Sequence, residues 1–324
     1  MKNKKSVSLF SALLIIFFHL WINIGTSQAE NFLKLTAYIG VDMFFFLSAY
    51  SLSRRETGGY FKFVLSRFCN VYIKYILFAF VAFFYSGWAI KRLLLVISGV
   101  ELFVKGGGAF LWFVPAIMIV YIVFPLIKKL DLKNSILTFI CSVIFWVILS
   151  LVFTNVFGYK EIFIFISRFP IILCGYYFGR YGIFEKITKN KWIQVLFGLA
   201  LLSAGYVIIY FCAYKNKLQV PFYDTFYITT IPATLGLIML VSLLPEFKLI
   251  KWLGSSTLEM YAIQMIFGYK FANNMFKVTK NVLFTNFLTI LFVIITACIT
   301  HYFIEICVKL VYSIKRKSNK FGDR

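Results

Sequence analysis

The chain has 324 residues, of which 61% are hydrophobic and only 14% charged, with 40 phenylalanines. No soluble globular surface can be built from that composition. The formal net charge of +22 has an ordinary source in loops that touch an anionic leaflet, so no nucleic-acid partner is read from it.

Ten apolar runs follow one another: Val7 to Ile24, Leu35 to Leu52, Val71 to Ile90, Ala109 to Ile127, Ser135 to Asn155, Glu161 to Phe178, Trp192 to Ala213, Thr225 to Leu244, Ser256 to Phe271 and Phe284 to Tyr312. Most approach the ~20 residues a helix needs to cross a bilayer. The ninth is short and the last overlong. Every N–H and C=O in lipid must be satisfied within its own segment, which makes these runs helical. They do not alternate as barrel strands would. The expected fold class is therefore all-α, a polytopic membrane helix bundle of about ten transmembrane helices. It forms one domain over 1–324, with a short basic tail at 313–324.

With the N-terminus inside, cytoplasmic stretches hold 21 Lys and Arg and outer stretches 10, counting Lys270 at the outer end of the ninth run, with Lys74, Arg168 and Lys309 deeper inside spans. That bias predicts an even number of crossings with both termini cytoplasmic. In the first segment, Lys2, Lys4 and Lys5 precede an apolar stretch, and Ser27-Gln28-Ala29 resembles a small-residue cleavage site. The run is long and contains a His, so it reads as a retained span; cleavage would remove His19. The six cysteines show no metal-ligand spacing and read as small buried hydrophobes, so no metal is expected. Between the third and fourth spans, amphipathic Leu93 to Val104, ending in Gly106-Gly107-Gly108, is read as lying on or dipping into the outer surface.

Ionisable groups are expensive in hydrocarbon, so His19, Asp42 and Arg168 mark candidate functional positions. At 1.5 Å per residue they fall ~9–10 Å below the outer boundary, which predicts one shared layer. A neutral imidazole can take a proton from a hydroxyl, and a nearby carboxylate can orient it and stabilise the imidazolium. Arg168 would offer fixed positive charge to an oxyanion or a substrate anion. Asn23, four residues after His19, shares its helix face and is expected to help hold the ring. The structural alternative is a buried His–Asp pair without chemistry, with Arg168 neutralising Asp42.

Other positions read more plainly. Ser48 is about 120° around the helix from Asp42 and is expected to line or pack rather than to act as a nucleophile. His301, Glu305 and Lys309 repeat a four-residue spacing, which reads as an interfacial charge ladder. Gly175 and Gly179 form a small face for close helix packing. Pro170 is expected to kink the helix carrying Arg168.

The stretch from Tyr38 to Tyr50, with Gly40-Val41-Asp42-Met43-Phe44-Phe45 at its centre, resembles the second-helix signature of the membrane acyltransferase 3 family. In that family an apolar helix bearing a His comes just before such a block. Further matches follow in order: Arg67, then Leu111-Trp112-Phe113 with Tyr121 and Pro125, then Arg168-Phe169-Pro170 with Gly175 and Gly179. Leu253-Gly254 with Glu259-Met260-Tyr261, and Tyr302-Phe303-Ile304-Glu305, complete the series. The resemblance covers nearly the whole chain.

It implies an integral enzyme of a bacterial cell membrane that moves an acyl group, usually acetyl, from cytoplasmic acyl-CoA to a hydroxyl on an envelope or exported glycan. His19 would be the catalytic residue, with Asp42 beside it. The CoA phosphates would dock among Arg54, Arg55, Arg67 and Lys4. Several positions depart from the family pattern. Ser8 stands where an Arg is usual, with Lys4 one turn lower on nearly the same face. Ala49 replaces a Gly, Asn70 an Arg and Gln264 a His. Direct transfer and an acyl-His19 intermediate both fit. A different class, a transporter, flippase or glycan polymerase, would use the same intramembrane His, Asp and Arg as a relay or pathway. No inverted repeat is evident, which counts against a transporter.

Overall fold

The computed structural model describes residues 1, 3–20, 32–33, 36–55, 59–131, 134–153, 161–214 and 226–322, with 213–214, 226–228 and 310–322 described by backbone alone. All regular structure among them is helical. Among the described residues, four helices are long and apolar enough to cross a membrane: Tyr60–Ser86, Phe113–Asp131, Lys191–Cys212 and Val282–Lys309. They correspond to the third, fourth, seventh and tenth expected runs. Ser135–Leu151 is a shorter apolar helix.

The elements used below are α1 (Lys4–Phe18), α2 (Ile39–Arg54), α3 (Tyr60–Ser86), α4 (Ile90–Ile97), α5 (Glu101–Lys105), α6 (Phe113–Asp131) and α7 (Ser135–Leu151). They continue as α8 (Phe163–Ile166), α9 (Phe169–Arg180), α10 (Ile183–Ile187), α11 (Lys191–Ile209), α12 (Phe226–Val241), α13 (Lys248–Leu253), α14 (Thr257–Ile263), α15 (Tyr269–Thr279) and α16 (Val282–Gly322).

Several expected spans are interrupted. The helix of the first run ends at Phe18, so His19 is its C-cap rather than a mid-helix residue. The sixth run breaks at Ser167-Arg168 into α8 and α9. Pro170 was expected to kink a continuous helix. Instead it occupies the first turn of α9, where its missing N–H costs nothing. The indole of Trp146 donates to the Ile166 carbonyl at 2.9 Å, satisfying one of the acceptors the break exposes. The ninth run passes from α14 into a π-turn, Gln264–Gly268, before α15.

The core is organised around α2, in which twelve of sixteen residues are buried. It packs against α1, α6, α9 and α12. Glycines permit the closest approaches: a Cβ on Gly40 would stand 2.5 Å from the Ser11 carbonyl, and one on Gly179 2.7 Å from that of Tyr50. Gly175 and Gly179 thus form the packing face read from their spacing. The periphery exposes Phe84, Trp192 and Leu283, as a hydrocarbon-facing surface requires. Lys4, Arg54, Arg55, Arg67 and Lys128 gather at one end of the bundle, the basic end.

Candidate functional site

Where α1 packs on α2, Gly40 meets Ser11, Leu14 and Ile15. That contact, with Lys4 beside Ser51 farther along the antiparallel pair, sets Asp42 level with the middle of α1 near Ala12 and leaves His19 about two turns beyond, ~10 Å farther along the axis. The expected single layer is therefore two. Counting from hydropathy boundaries misplaced His19, because its helix stops before the apolar run does.

His19 is half-buried, and its Nδ1 lies 2.9 Å from the Ile15 carbonyl. A carbonyl only accepts, so Nδ1 carries the proton and Nε2 is the basic nitrogen of the neutral ring. The role expected of Asp42 at this ring is thus filled by backbone. Asp42 turns elsewhere: its carboxylate accepts from Thr230 Oγ1 at 2.7 Å and pairs with Arg168 Nε at 3.2 Å. No Asp42–His19 bond occurs among the described contacts. The two layers are joined by rings. Phe18 packs edge-on to His19 and against Tyr38, and Tyr38 lies under the Arg168 guanidinium at 4.1 Å. Arg168 is held at the N-cap of α9, wholly buried, with Ser167 Oγ at 3.1 Å. Asn23 lies outside the described residues.

Below this knot a cavity of about 190 Å³ runs between α1, α2, α3, α6 and α14. Its upper walls are apolar, formed by Ile15, Val41, Phe44 and Phe113; at its lower end the side chains of Ser48 and Tyr121 meet, with Thr257 nearby. From Val41 to Ser48 is seven residues, ~10 Å of helix. Ser48 is thus a lining residue, as its helix position indicated. The upper end reaches Ile15, the residue whose carbonyl holds the His19 ring.

Cations rim the lower end. Arg67 stacks on the rings of Phe63 and Tyr121 at 5.3 and 5.4 Å. Lys4 Nζ lies 3.3 Å from Ser51 Oγ. Arg55 is close enough to both to be felt electrostatically. Burial, then the charges of Arg54 and Arg55, push the Lys4 ammonium below its ordinary pKa. A polyanion would relieve that repulsion. Arg54 departs from the group: it pairs with Glu185 at 2.7 Å, lies over Tyr50 and donates to the Gly179 carbonyl.

Thr230 and Tyr38 were not singled out from sequence, since neither residue type is unusual in an apolar helix. Of the expected ladder, the step from His301 to Glu305 forms at 3.4 Å, but the same imidazole has a second partner. His301 turns inward to Glu259 at 3.0 Å, and Glu259 takes Lys74 at 2.7 Å. A larger apolar groove of about 390 Å³ opens between α6 and α7, with Phe169 at one side, and none of the residues predicted to act lines it.

A family model for an acyltransferase domain matches residues 9–303. No curated protein and no solved structure matches the chain. The matched region takes in α1 from Leu9 onward, the α2 block around Asp42, the Arg168 break and the cavity between them, and on that match the chain belongs to the acyltransferase 3 family and is a membrane acyltransferase.

Proposed function

We propose that this chain is an O-acyltransferase of a bacterial cell membrane that moves an acyl group, acetyl foremost, from cytoplasmic acyl-CoA to a hydroxyl of an envelope or exported polysaccharide. The observation that supports it best is the cavity: cations rim one end, and the other stops at the residue that orients His19. The excess of Lys and Arg in alternate loops puts the basic end in the cytoplasm. CoA phosphates then meet Arg67, Arg55 and Lys4, the pantetheine arm follows the cavity, and the thioester reaches the His19 layer.

The acceptor hydroxyl gives its proton to His19 Nε2 as its oxygen attacks the thioester carbonyl carbon. The tetrahedral adduct collapses by breaking the C–S bond, and the departing sulfur takes the proton back from the imidazolium. The products are an ester and free CoA thiol. The ring sits at the C-terminus of α1, so the negative end of the helix dipole faces the imidazolium as it forms. Asp42 and Arg168 act as one unit, with the carboxylate and Thr230 fixing the guanidinium beside Tyr38 and Trp112 to receive the acceptor.

The test is transfer of label from acetyl-CoA to envelope polysaccharide by the purified protein in lipid. Transfer by the wild type that disappears in His19→Ala is expected. Movement of glycan across the bilayer without acylation would instead favour a transporter.

A further inference from the structure

A buried ionic cluster lies outside the chemistry just described. Glu259 of α14 is fully buried, and its Oε1 is shared between Lys74 Nζ of α3 at 2.7 Å and His301 Nδ1 of α16 at 3.0 Å. The second ring nitrogen of His301 faces Glu305 at 3.4 Å. Glu259 Oε2 is buried and has no hydrogen-bond partner among the described residues. Lys5 is within electrostatic reach. Such a cluster is a weak source of net stability, because desolvating the charges offsets their attraction. Its directional, charge-assisted bonds instead fix geometry.

The element they fix is α14, a helix of seven residues that follows the turn at Ser255-Ser256 and runs straight into a π-turn. So short a helix, leading into a π-turn, has little rigidity of its own. At 100° per residue, Thr257 and Tyr261 lie on the side opposite Glu259. Those two line the cavity. Immediately after Ile263, Gln264 donates to the Ile16 carbonyl at 3.1 Å, beside the turn that holds His19.

We propose that Glu259 is a positioning residue for the acyl-CoA cavity: clamped by Lys74 and His301, it sets the rotation of α14 and hence the cavity wall at Thr257 and Tyr261. The proposal rests on the reading of that cavity as the donor channel. Glu259 touches neither donor nor acceptor. Its effect is exerted through the wall.

The experiment measures binding of a thioether analogue of acetyl-CoA to the purified full chain, together with KM and kcat. Glu259→Gln should weaken analogue binding and raise KM by about ten- to a hundredfold, as for a wall displaced by ~1 Å, while kcat at saturating donor changes by less than about threefold. Adding Lys74→Met to Glu259→Gln should cause no further loss, because the two act as one unit. A merely structural role would lower thermal stability and leave affinity unchanged. Unaltered analogue affinity in folded Glu259→Gln overturns the proposal. Where that variant does not accumulate, Glu259→Asp decides: it keeps the charge but withdraws it by one methylene, and wild-type affinity there likewise overturns the proposal. Absence of analogue binding by the wild type would sink the donor-channel reading itself, and the inference with it.

Discussion

Arg168 Nε and Asp42 Oδ1 lie 3.2 Å apart with both side chains buried, tying the start of α9 to the first turn of α2. Removing one partner of such a pair leaves the other charge in a low-dielectric interior, which costs about 3–5 kcal/mol. Asp42→Asn should therefore lose both activity and stability, read as acyl transfer and as unfolding in detergent. The double substitution Asp42→Asn with Arg168→Met should regain much of the stability, because an apolar replacement of a whole pair is often neutral. It should regain no activity. Activity in the double variant would separate the pair from the chemistry.

His19 offers a sharper test of the base. The Nδ1 bond to Ile15 can be imitated by the amide of Asn, which donates one hydrogen bond to the same carbonyl yet has no basic nitrogen. His19→Asn should leave stability within ~0.5 kcal/mol and lower turnover by about 10²–10⁴, the range for a general base. Single-turnover label transfer measures it. Retention of more than a tenth of the wild-type rate would remove His19 from the mechanism.

The helical class was readable because apolar backbone in lipid has no alternative, and the three ionisable residues inside apolar runs stood out against hydrocarbon. Their pairing was not readable. Periodicity places a residue on a face, but whether Asp42 meets His19 or Arg168 depends on how far α1 and α2 slide against each other. Gly40 sets that offset through its contact with Ser11. The end of α1 at Phe18 carries no stop signal, since apolar residues continue past it. His301 and Glu305 showed their mutual spacing on one helix. Their link to Glu259 and Lys74, on two others, exists only after folding.

Arg67 and Arg54 were indistinguishable as basic residues flanking the second and third spans, and the structure separates them. Arg67 stands beside Tyr121 at the cavity mouth, whereas Arg54 is held by Glu185. Arg67→Ala should raise KM for acyl-CoA by roughly tenfold, the worth of one charge-assisted phosphate contact of about 1.5 kcal/mol, with an effect that shrinks as salt rises. Arg54→Ala should leave KM within about twofold, an exposed pair being worth little. Equal effects of the two would contradict the placement.

Gly175 faces the backbone of Phe46, and a Cβ there would come within 2.9 Å of the Phe46 Cα. Backbone cannot yield as a side chain end can, so Gly175→Ala should cost about 1–3 kcal/mol through overpacking. Because α2 carries Asp42, the displaced helix should also lower activity. A folded variant of unchanged stability and turnover would show that α2 and α9 are less tightly apposed.

Glu101 anchors the segment between α4 and α6. Burial alone would raise its pKa, but the Phe110 N–H at 2.8 Å and the cations Lys105 and Arg92 hold the carboxyl below the ordinary glutamate range. A depressed folded-state pKa contributes stability that is present above the unfolded value and lost as pH falls through the folded one. Acidification below the ordinary value of 4.5 should therefore loosen residues 90–110 while neutral pH leaves them ordered. Hydrogen exchange of that segment at pH 6 and pH 3.5, corrected for intrinsic rates, reads it directly. Glu101→Gln should show the faster exchange at both values and no step between them. A step of wild-type size in that variant would mean that another group carries the titration.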